Sequence, residues 1–564
     1  MSPILRATLG RRSHLVLPAL LLLASAARLW QWGRIGLDHF DEGAYAYSAG
    51  SLSAGGIDAA WFPQQHLLAP PFQFMASALG MLVYGVSDRI LIGLSTLLGV
   101  ATVGVVFVFA KRWFGPSAAF CAAILLALSD FHILYSRSGL TDVSFGFWLL
   151  AALFCFAEAE RNGSWRWAAL AGLTTGLAWN TKYHGWLAVV IAVGAVLLAA
   201  EWGDRRATAR SMGRVLVMAA LATALYIPWA VYVAQEPGGY GLLLEHESQF
   251  VRPGMALAQA WAHFRAQLHL DGWLGRSAPA LAALGVVAGL GRERRITSLA
   301  RAGMVGALGF ALGLTAFAGA AALTTAGRMG RSREAGARVT LAFFLVFSLL
   351  TPLYFPYPRL LIPWLIASVL LAGVAIHRFV AGPVVAASDP QSDPNGWTSR
   401  LWVTPVAIVA VGLTGLCTVL RPPWEAGHTY QPKDGFREAA SQIAEAVGPG
   451  ATVLVWAEPA VAFYLRSHGV PADPIADIRE LRADQRDQPL YLVASLYAQR
   501  IPGAYGLERW RHAHPGQLEE VARAPVRAVS DVRLLDDFPL EEAAGFQQTG
   551  RPDYDLRLYV VSQR

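Results

Sequence analysis

Three carboxylates and an imidazole fall in five consecutive positions, Asp38, His39, Phe40, Asp41 and Glu42, directly after the first long apolar run of the chain. Further on, Arg137 and Asp142 flank the turn in "LYSRSGLTD", Lys182 and His184 lie in "NTKYHG", and Arg359 in "PLYFPYPRLLIP" opens another apolar run. Acids and cations gathered at the ends of apolar segments suit one kind of chemistry. An ionised carboxylate can take the proton of an attacking hydroxyl, while Lys or Arg neutralises a departing phosphate. Each residue alone has a plainer use: Arg137 snorkelling to headgroups, Thr141 or Asp142 capping a helix, Lys182 and Arg359 anchoring helix ends. Asp38 is assigned to solvation of its loop. Asp41 and Glu42 are not, because Phe40, Tyr45, Tyr47 and the small residues that follow read as a packed helix beside a structured cavity.

The elements that must hold these residues are membrane spans. Of 564 residues, 55% are hydrophobic and 15% charged, with a mean hydropathy of +0.40, whereas soluble domains are about one quarter charged. The net charge of +7 is carried mainly by Arg in short loops and has no basic tail, so it reports topology and not nucleic-acid binding. Cys121, Cys155 and Cys417 lie inside apolar runs with no metal spacing and no disulfide framework, and read as packing residues.

The N-terminal "RATLGRRSHLVLPALLLLASAARLW" has a basic start and an apolar core but no convincing cleavage site, and is read as a retained first span. Further spans are expected near 88–110, 116–135, 142–160, 165–181, 184–201, 211–234, 277–291, 300–326, 339–355, 359–380 and 401–420. Arg6, Arg11 and Arg12 put the N-terminus inside, so the acids at 38–42 fall outside. "HLLAPPFQFMASALGMLVYG" is laid on the outer surface, started by Pro70 and Pro71, because a crossing there would invert Lys111 and Arg112. The clusters Arg292–Arg295 and Arg328–Arg338 both favour the inside, yet one apolar run separates them. Either that run folds back or the 277–291 segment does not cross, which gives thirteen or eleven transmembrane helices. Residues 382–400 make a polar linker.

The expected organisation is a transmembrane domain over 1–420, with outer-surface helices in its first loop (31–87), and an extracytoplasmic α/β domain over 421–564. In the latter, "DGFREAASQIAEAVG" and "PAVAFYLRSHG" read as helices, and "ATVLVWA", "PLYLVASLY" and "LRLYVVSQR" as strands. No Gly-rich phosphate loop or nucleophile elbow occurs there, so a supporting or acceptor-facing role is expected.

The acidic pair after the first span, the Pro-Pro-led surface helix, "RILIGLSTLLGVATVGVVFVFAKRWFG", "SRSGLTD", "GLAWNTKYHG" and "YPRLLIP" together resemble the GT-C membrane glycosyltransferases of the protein O-mannosyltransferase and aminoarabinose transferase type. The resemblance covers about residues 15–235 and 339–380. It implies inverting transfer of a sugar from a polyprenyl-phosphate donor to a lipid, glycan or protein acceptor outside the cytoplasmic membrane of a bacterial-type cell. By position it implies that Asp41 is the catalytic acidic residue with Glu42 beside it, that Asp142 is the second outer acid, and that Lys182 and Arg359 lie near the lipid phosphate. Relatives often carry Lys or His just before the Pro-Pro pair; this chain has Ala69 there and His66 three residues earlier.

The expected chemistry is direct displacement at the anomeric carbon, with Asp41 as base and Lys182, Arg359 and Arg137 on the phosphate. A divalent cation held by Glu42, Asp142 and His246 has no tight ligand spacing behind it, and no metal or cofactor is assigned. The rival readings are a lipid or sugar transporter or flippase, which would place ionisable groups near mid-membrane and show internal repeats, and a noncatalytic assembly subunit on the same scaffold.

Overall fold

The computed structural model describes residues 3–55, 67, 69–199, 205–290, 295–329, 332, 334–382, 432–447, 450–475, 478, 489–494, 507–527, 529–537 and 554–562. The expected span at 401–420, most of the polar linker, Cys417, His66 and the domain boundary near 420 lie outside these residues. The chain is a polytopic α-helical membrane protein with a small sheet-containing unit at its C-terminal end. Among the described residues five helical segments are long and apolar enough to cross a bilayer alone: α4 (Asp88–Phe114), α7 (Thr141–Asn162), α10 (Arg205–Gln235), α16 (Ala335–Leu350) with its short extension, and Pro358–Ala381, most of which is α17 (Ile362–Ala381). A sixth crossing is available from α5 (Pro116–Ala127) and α6 (Asp130–Ser136), which bend by 60° at their junction.

Local sequence sets these boundaries. Ser87 accepts the Arg89 amide at the start of α4, Asp88 sits in its first turn and Lys111 and Arg112 in its last, each charge matched to the helix dipole. Gly115 and Pro116 then stop one helix and start the next. Helix α3 (Phe72–Tyr84) follows Pro71 and has 13 residues, about 20 Å at 1.5 Å per residue and too short to cross a core of about 30 Å. Its Leu79, Val83 and Tyr84 are exposed while Gln73, Phe74, Ser77 and Met81 are buried, as a helix lying on the bundle with one face to lipid would be. Arg112 pairs with Glu158 and Arg214 with Glu160, both at 2.7 Å. These basic groups therefore gather at the end of α7 opposite Asp142.

The apolar run at 300–326 is not one helix. It breaks at Gly313, whose φ of +78° and whose missing side chain, which would stand 2.8 Å from Asp271, both require glycine. Asp271 accepts the Thr315 amide and hydroxyl at 2.9 and 3.0 Å, and Arg276 donates to the carbonyls of Phe310 and Ala311 at 2.9 and 3.3 Å. Both cut ends, of α14 (Arg295–Leu312) and α15 (Leu314–Met329), are thus satisfied within the protein. The run expected either to fold back or to cross as one span is therefore two helices that meet at Gly313.

The C-terminal unit has five strands, β1 (Thr452–Trp456), β2 (Ala472–Ile475), β3 (Leu490–Ala494), β4 (Leu518–Val526) and β5 (Tyr554–Val561), in the order β2-β1-β3-β5-β4. β1 runs parallel to β2 and β3, and β5 is antiparallel to β3 and β4. Phe436, Ala439, Ala440 and Ile443 bury one stripe of the helix Gly435–Ala446.

This unit is fastened to the first loop. Lys433 forms a parallel bridge with Ile35, the Tyr464 hydroxyl accepts the Leu37 amide at 2.7 Å, and that hydroxyl donates to Asp88 at 2.7 Å. Helix α2 (Phe40–Ser53) approaches the helix Pro459–Ser467 so closely that a Cβ on Gly43 would lie 2.2 Å from the Ala460 nitrogen.

Candidate active site

The acids at 38–42 do three separate jobs. His39 is the N-cap of α2: its Nδ1 accepts the Asp41 amide at 3.1 Å, so the ring proton is on Nε2, which reaches Asp536 at 2.9 Å. Glu42, three residues into the helix, completes the capping box by accepting the His39 amide at 3.1 Å. It also accepts the amides of Asp38 at 3.1 Å and Gly139 at 2.5 Å, and the Lys433 ammonium at 2.9 Å. The Glu42 side chain is 0% exposed, and its carboxylate is committed to joining the first loop, the 137–140 turn and the C-terminal unit.

Asp38 corrects the sequence reading. It does not solvate a loop: it is 0% exposed, and it accepts the Ser530 amide at 2.5 Å and the Ser530 hydroxyl at 3.0 Å. Its own carbonyl accepts from Arg533 at 2.7 Å, and Arg533 is paired with Glu458 at 2.7 Å inside the same interface. Arg137, expected near the donor phosphate, is buried and donates to the carbonyls of Arg28 and Trp30 at 3.2 and 2.6 Å, closing the end of α1 (Pro3–Leu29).

Asp41 differs from its neighbours in keeping an open side. Its side chain is 31% exposed, and Oδ2 lies 2.7 Å from Nη1 of Arg359. Burial works to raise its pKa, but Arg359, His39 and Lys182 outweigh burial and hold the carboxyl at about 2, ionised throughout the physiological range. Arg359 sits on the short 3-10 turn Pro358–Leu361, its guanidinium over the Tyr357 ring at 5.2 Å. Its Nε lies 3.4 Å from Asp536, on the helix Asp531–Asp537 of the C-terminal unit.

Asp142, in the first turn of α7, pairs through Oδ1 with Lys182, which follows the end of α8 (Trp165–Thr181). Among the described residues, the other oxygen of Asp142, Oδ1 of Asp536 and the Tyr135 hydroxyl are all buried without a hydrogen-bond partner. The structure thus draws Asp41, Asp142, Lys182 and Arg359 into one electrostatic cluster, and separates from it the committed side chains of Glu42 and Arg137. Asp536 is the member that sequence reasoning missed. It lies 497 positions after His39 in a segment with no motif. Among the described residues no three His, Cys, Asp or Glu side chains stand where they could share a metal ion, and His246 packs against Phe250.

Such a cluster can hold an anion between Lys182 and Arg359 while an ionised acid meets a hydroxyl from the open side. Known proteins share sequence with part of this chain and resemble its fold. Residues 69–232 match the family described as dolichyl-phosphate-mannose-protein mannosyltransferase. The chain is 29% identical over 164 residues to YycA of Bacillus subtilis (strain 168), a mannosyltransferase by name alone, covering 29% of this chain and 24% of that protein. YkcB of the same organism, named likewise, is 27% identical over 20% of this chain and 16% of its own length. The chain therefore spans about a quarter or less of these relatives. In fold it is similar to ArnT from Cupriavidus metallidurans bound to undecaprenyl phosphate, with a TM-score of 0.55, 17% identity and coverage of 97% of this chain and 98% of that one. It is also similar to the oligosaccharyltransferase AglB from Archaeoglobus fulgidus in complex with an inhibitory peptide and a dolichol-phosphate, with a TM-score of 0.52, 14% identity and coverage of 86% and 69%. The family match over residues 69–232 and the shared architecture give the chain the fold of the GT-C membrane enzymes.

Proposed function

We propose that this protein transfers a sugar, with inversion, from a polyprenyl-phosphate donor to an acceptor hydroxyl on the outer face of the cytoplasmic membrane. One observation carries the reading: a partly open carboxylate, Asp41, held against the partly buried cation Arg359 and within the field of a second cation, Lys182. The acceptor oxygen bonds to the anomeric carbon as the bond from that carbon to the phosphate oxygen breaks. The phosphate keeps the electron pair, and the acceptor's proton passes to Asp41.

A carboxyl held near 2 is a weak base, and this suits a proton that leaves late, once the attacking oxygen has become acidic. Arg359 adds a second effect. When a phosphate enters, the guanidinium shares its charge with the newcomer, and Asp41 regains basicity as its partner is drawn away. Lys182 reaches the same phosphate as a point charge, with Asp142 holding it. A phosphate leaving group needs no general acid, so Asp142 is free for positioning.

Glu42 and Arg137 act as anchors in this scheme, with no contact to donor or acceptor. Asp536 positions both Arg359 and His39, and the C-terminal unit, over about residues 421–564 and outside the membrane, is part of the site through it. ArnT and AglB were solved with polyprenyl phosphates, undecaprenyl and dolichol respectively, which supports a donor of that class. Purified protein in nanodiscs, given polyprenyl-phosphate sugars and a hydroxyl acceptor, is expected to release free polyprenyl phosphate. A panel of such donors that all stay intact would contradict the reading.

A further inference from the structure

Helix α12 (Ala256–Leu270) is amphipathic in the reverse sense. Gln259, His263 and Gln267 recur every four residues, so they share one face, and they are 4%, 3% and 2% exposed. Leu257 and Trp261, by contrast, are 89% and 54% exposed. In water this orientation would leave large apolar side chains solvated and polar ones buried. Beside lipid it is the expected one, with the apolar face outward and the polar stripe turned to something polar within the protein.

The helix that carries the stripe lies beside the turn that bears Arg359 and also against α15. Helix α12 packs on α6, on the turn Thr351–Leu353 and on Pro358–Leu361, the turn that carries Arg359. Yet its polar groups are mostly unspent. Gln259 donates to the Arg252 carbonyl at 2.7 Å, but its own side-chain oxygen accepts nothing among the described residues. Among the described residues neither side-chain polar atom of Gln267 has a partner, and His263 has only the Thr351 backbone beside its ring. Tyr135, on α6, is likewise buried with an unpartnered hydroxyl.

Buried polar groups left this way call for a partner. The geometry points to the hydroxyl groups of the sugar carried by the lipid donor, bound by Gln259, His263 and Gln267; this rests on the glycosyltransferase reading and assigns side chains that read the sugar. The stripe bears no formal charge, since burial holds His263 at about 4 and keeps the imidazole neutral. A phosphate has cations to pair with in Lys182 and Arg359 and gains little from neutral amides. A polyprenyl tail offers the stripe no hydrogen bond. Sugar hydroxyls both donate and accept, which is what two amides and a neutral imidazole match.

The test uses the full chain in nanodiscs, wild type against Gln267→Leu and His263→Phe. Each is titrated with undecaprenyl phosphate and with its mannosyl, glucosyl and N-acetylglucosaminyl forms. Gln267→Leu removes an unpaired buried amide, so the ligand-free variant is expected to unfold at a higher temperature than wild type. Its affinity for bare undecaprenyl phosphate should stay within about twofold, while the preferred sugar lipid should bind about 10-fold more weakly. Equal weakening toward bare and sugar-bearing lipid, an unchanged sugar preference in both variants, or a wild type that prefers none of the sugar lipids over the bare one would overturn the proposal. A protein that binds the sugar lipid in this stripe-dependent way but never releases polyprenyl phosphate would instead overturn only the transfer reaction.

Discussion

Replacing Asp38 by Ala should detach the C-terminal unit, although the sequence places this acid in a hydrophilic loop. The carboxylate accepts two hydrogen bonds from Ser530, at 2.5 and 3.0 Å, and lies 3.6 Å from the Lys433 ammonium, with all three residues buried. Its removal leaves a buried amide unsatisfied and Lys433 dependent on Glu42 alone. An unmade buried hydrogen bond costs about 1–3 kcal/mol, and breaking a buried ion pair about 3–5 kcal/mol. Because Lys433 retains Glu42 at 2.9 Å, the low end applies and about 3 kcal/mol is expected. That corresponds to roughly a 100-fold rise in the undocked population. Ser530→Ala removes only the hydroxyl bond and should cost about 1 kcal/mol. The double variant should fall close to Asp38→Ala alone, since the Ser530 hydroxyl bond is already lost there. Native-state proteolysis of the C-terminal unit, at protease levels where cleavage follows the open population, reads these ratios. Wild-type cleavage rates in Asp38→Ala would refute the buried-anchor argument.

Other consequences follow from the same contacts. Gly43→Ala should undock α2 from the helix Pro459–Ser467, because its Cβ would meet the Ala460 nitrogen at 2.2 Å; thermal unfolding and proteolysis both report it, against a neutral Gly33→Ala control with nothing within 4 Å. Glu42→Gln should lower stability through the loss of its charged bond to Lys433, so its activity per folded molecule should fall far less than that of Asp41→Asn. Arg359→Ala should weaken donor binding and let the Asp41 pKa climb from about 2 toward its ordinary 3.8. The sign is that of a depressed carboxyl: stability from the Asp41–Arg359 pair is present above pH 3.8 and lost as pH falls through about 2, and the variant should lack that acid-dependent loss in a pH-unfolding series.

Several long apolar helices, the short helix after Pro71 and the α/β character of the C-terminal unit were legible because each is written in local periodicity and in caps such as Ser87 and Pro116. The cluster of Asp41, Asp142, Lys182 and Arg359 was legible as charges at the ends of apolar runs. What the sequence could not convey is which carboxylate is spent. Asp38 and Asp41 lie three positions apart, yet one is fully buried and the other half-open, and the difference is set by Ser530, 492 positions away. Asp536 was invisible for the same reason. That the run could fold back was legible from the Arg clusters on either side, but not that it is cut at Gly313, because an apolar run looks alike wherever it is cut and Asp271, which satisfies the cut, lies far enough upstream to read as loop.

The most direct test of the account is turnover by Asp41→Asn, which keeps the shape of the side chain and removes its charge. In protein that expresses, resists proteolysis and binds undecaprenyl phosphate like wild type, release of polyprenyl phosphate in the presence of acceptor should fall by about 100-fold to 10,000-fold, the span of a lost general base. Near-normal release from Asp41→Asn would contradict the assignment of Asp41 as the base and leave the ionised cluster without its proposed role in the transfer.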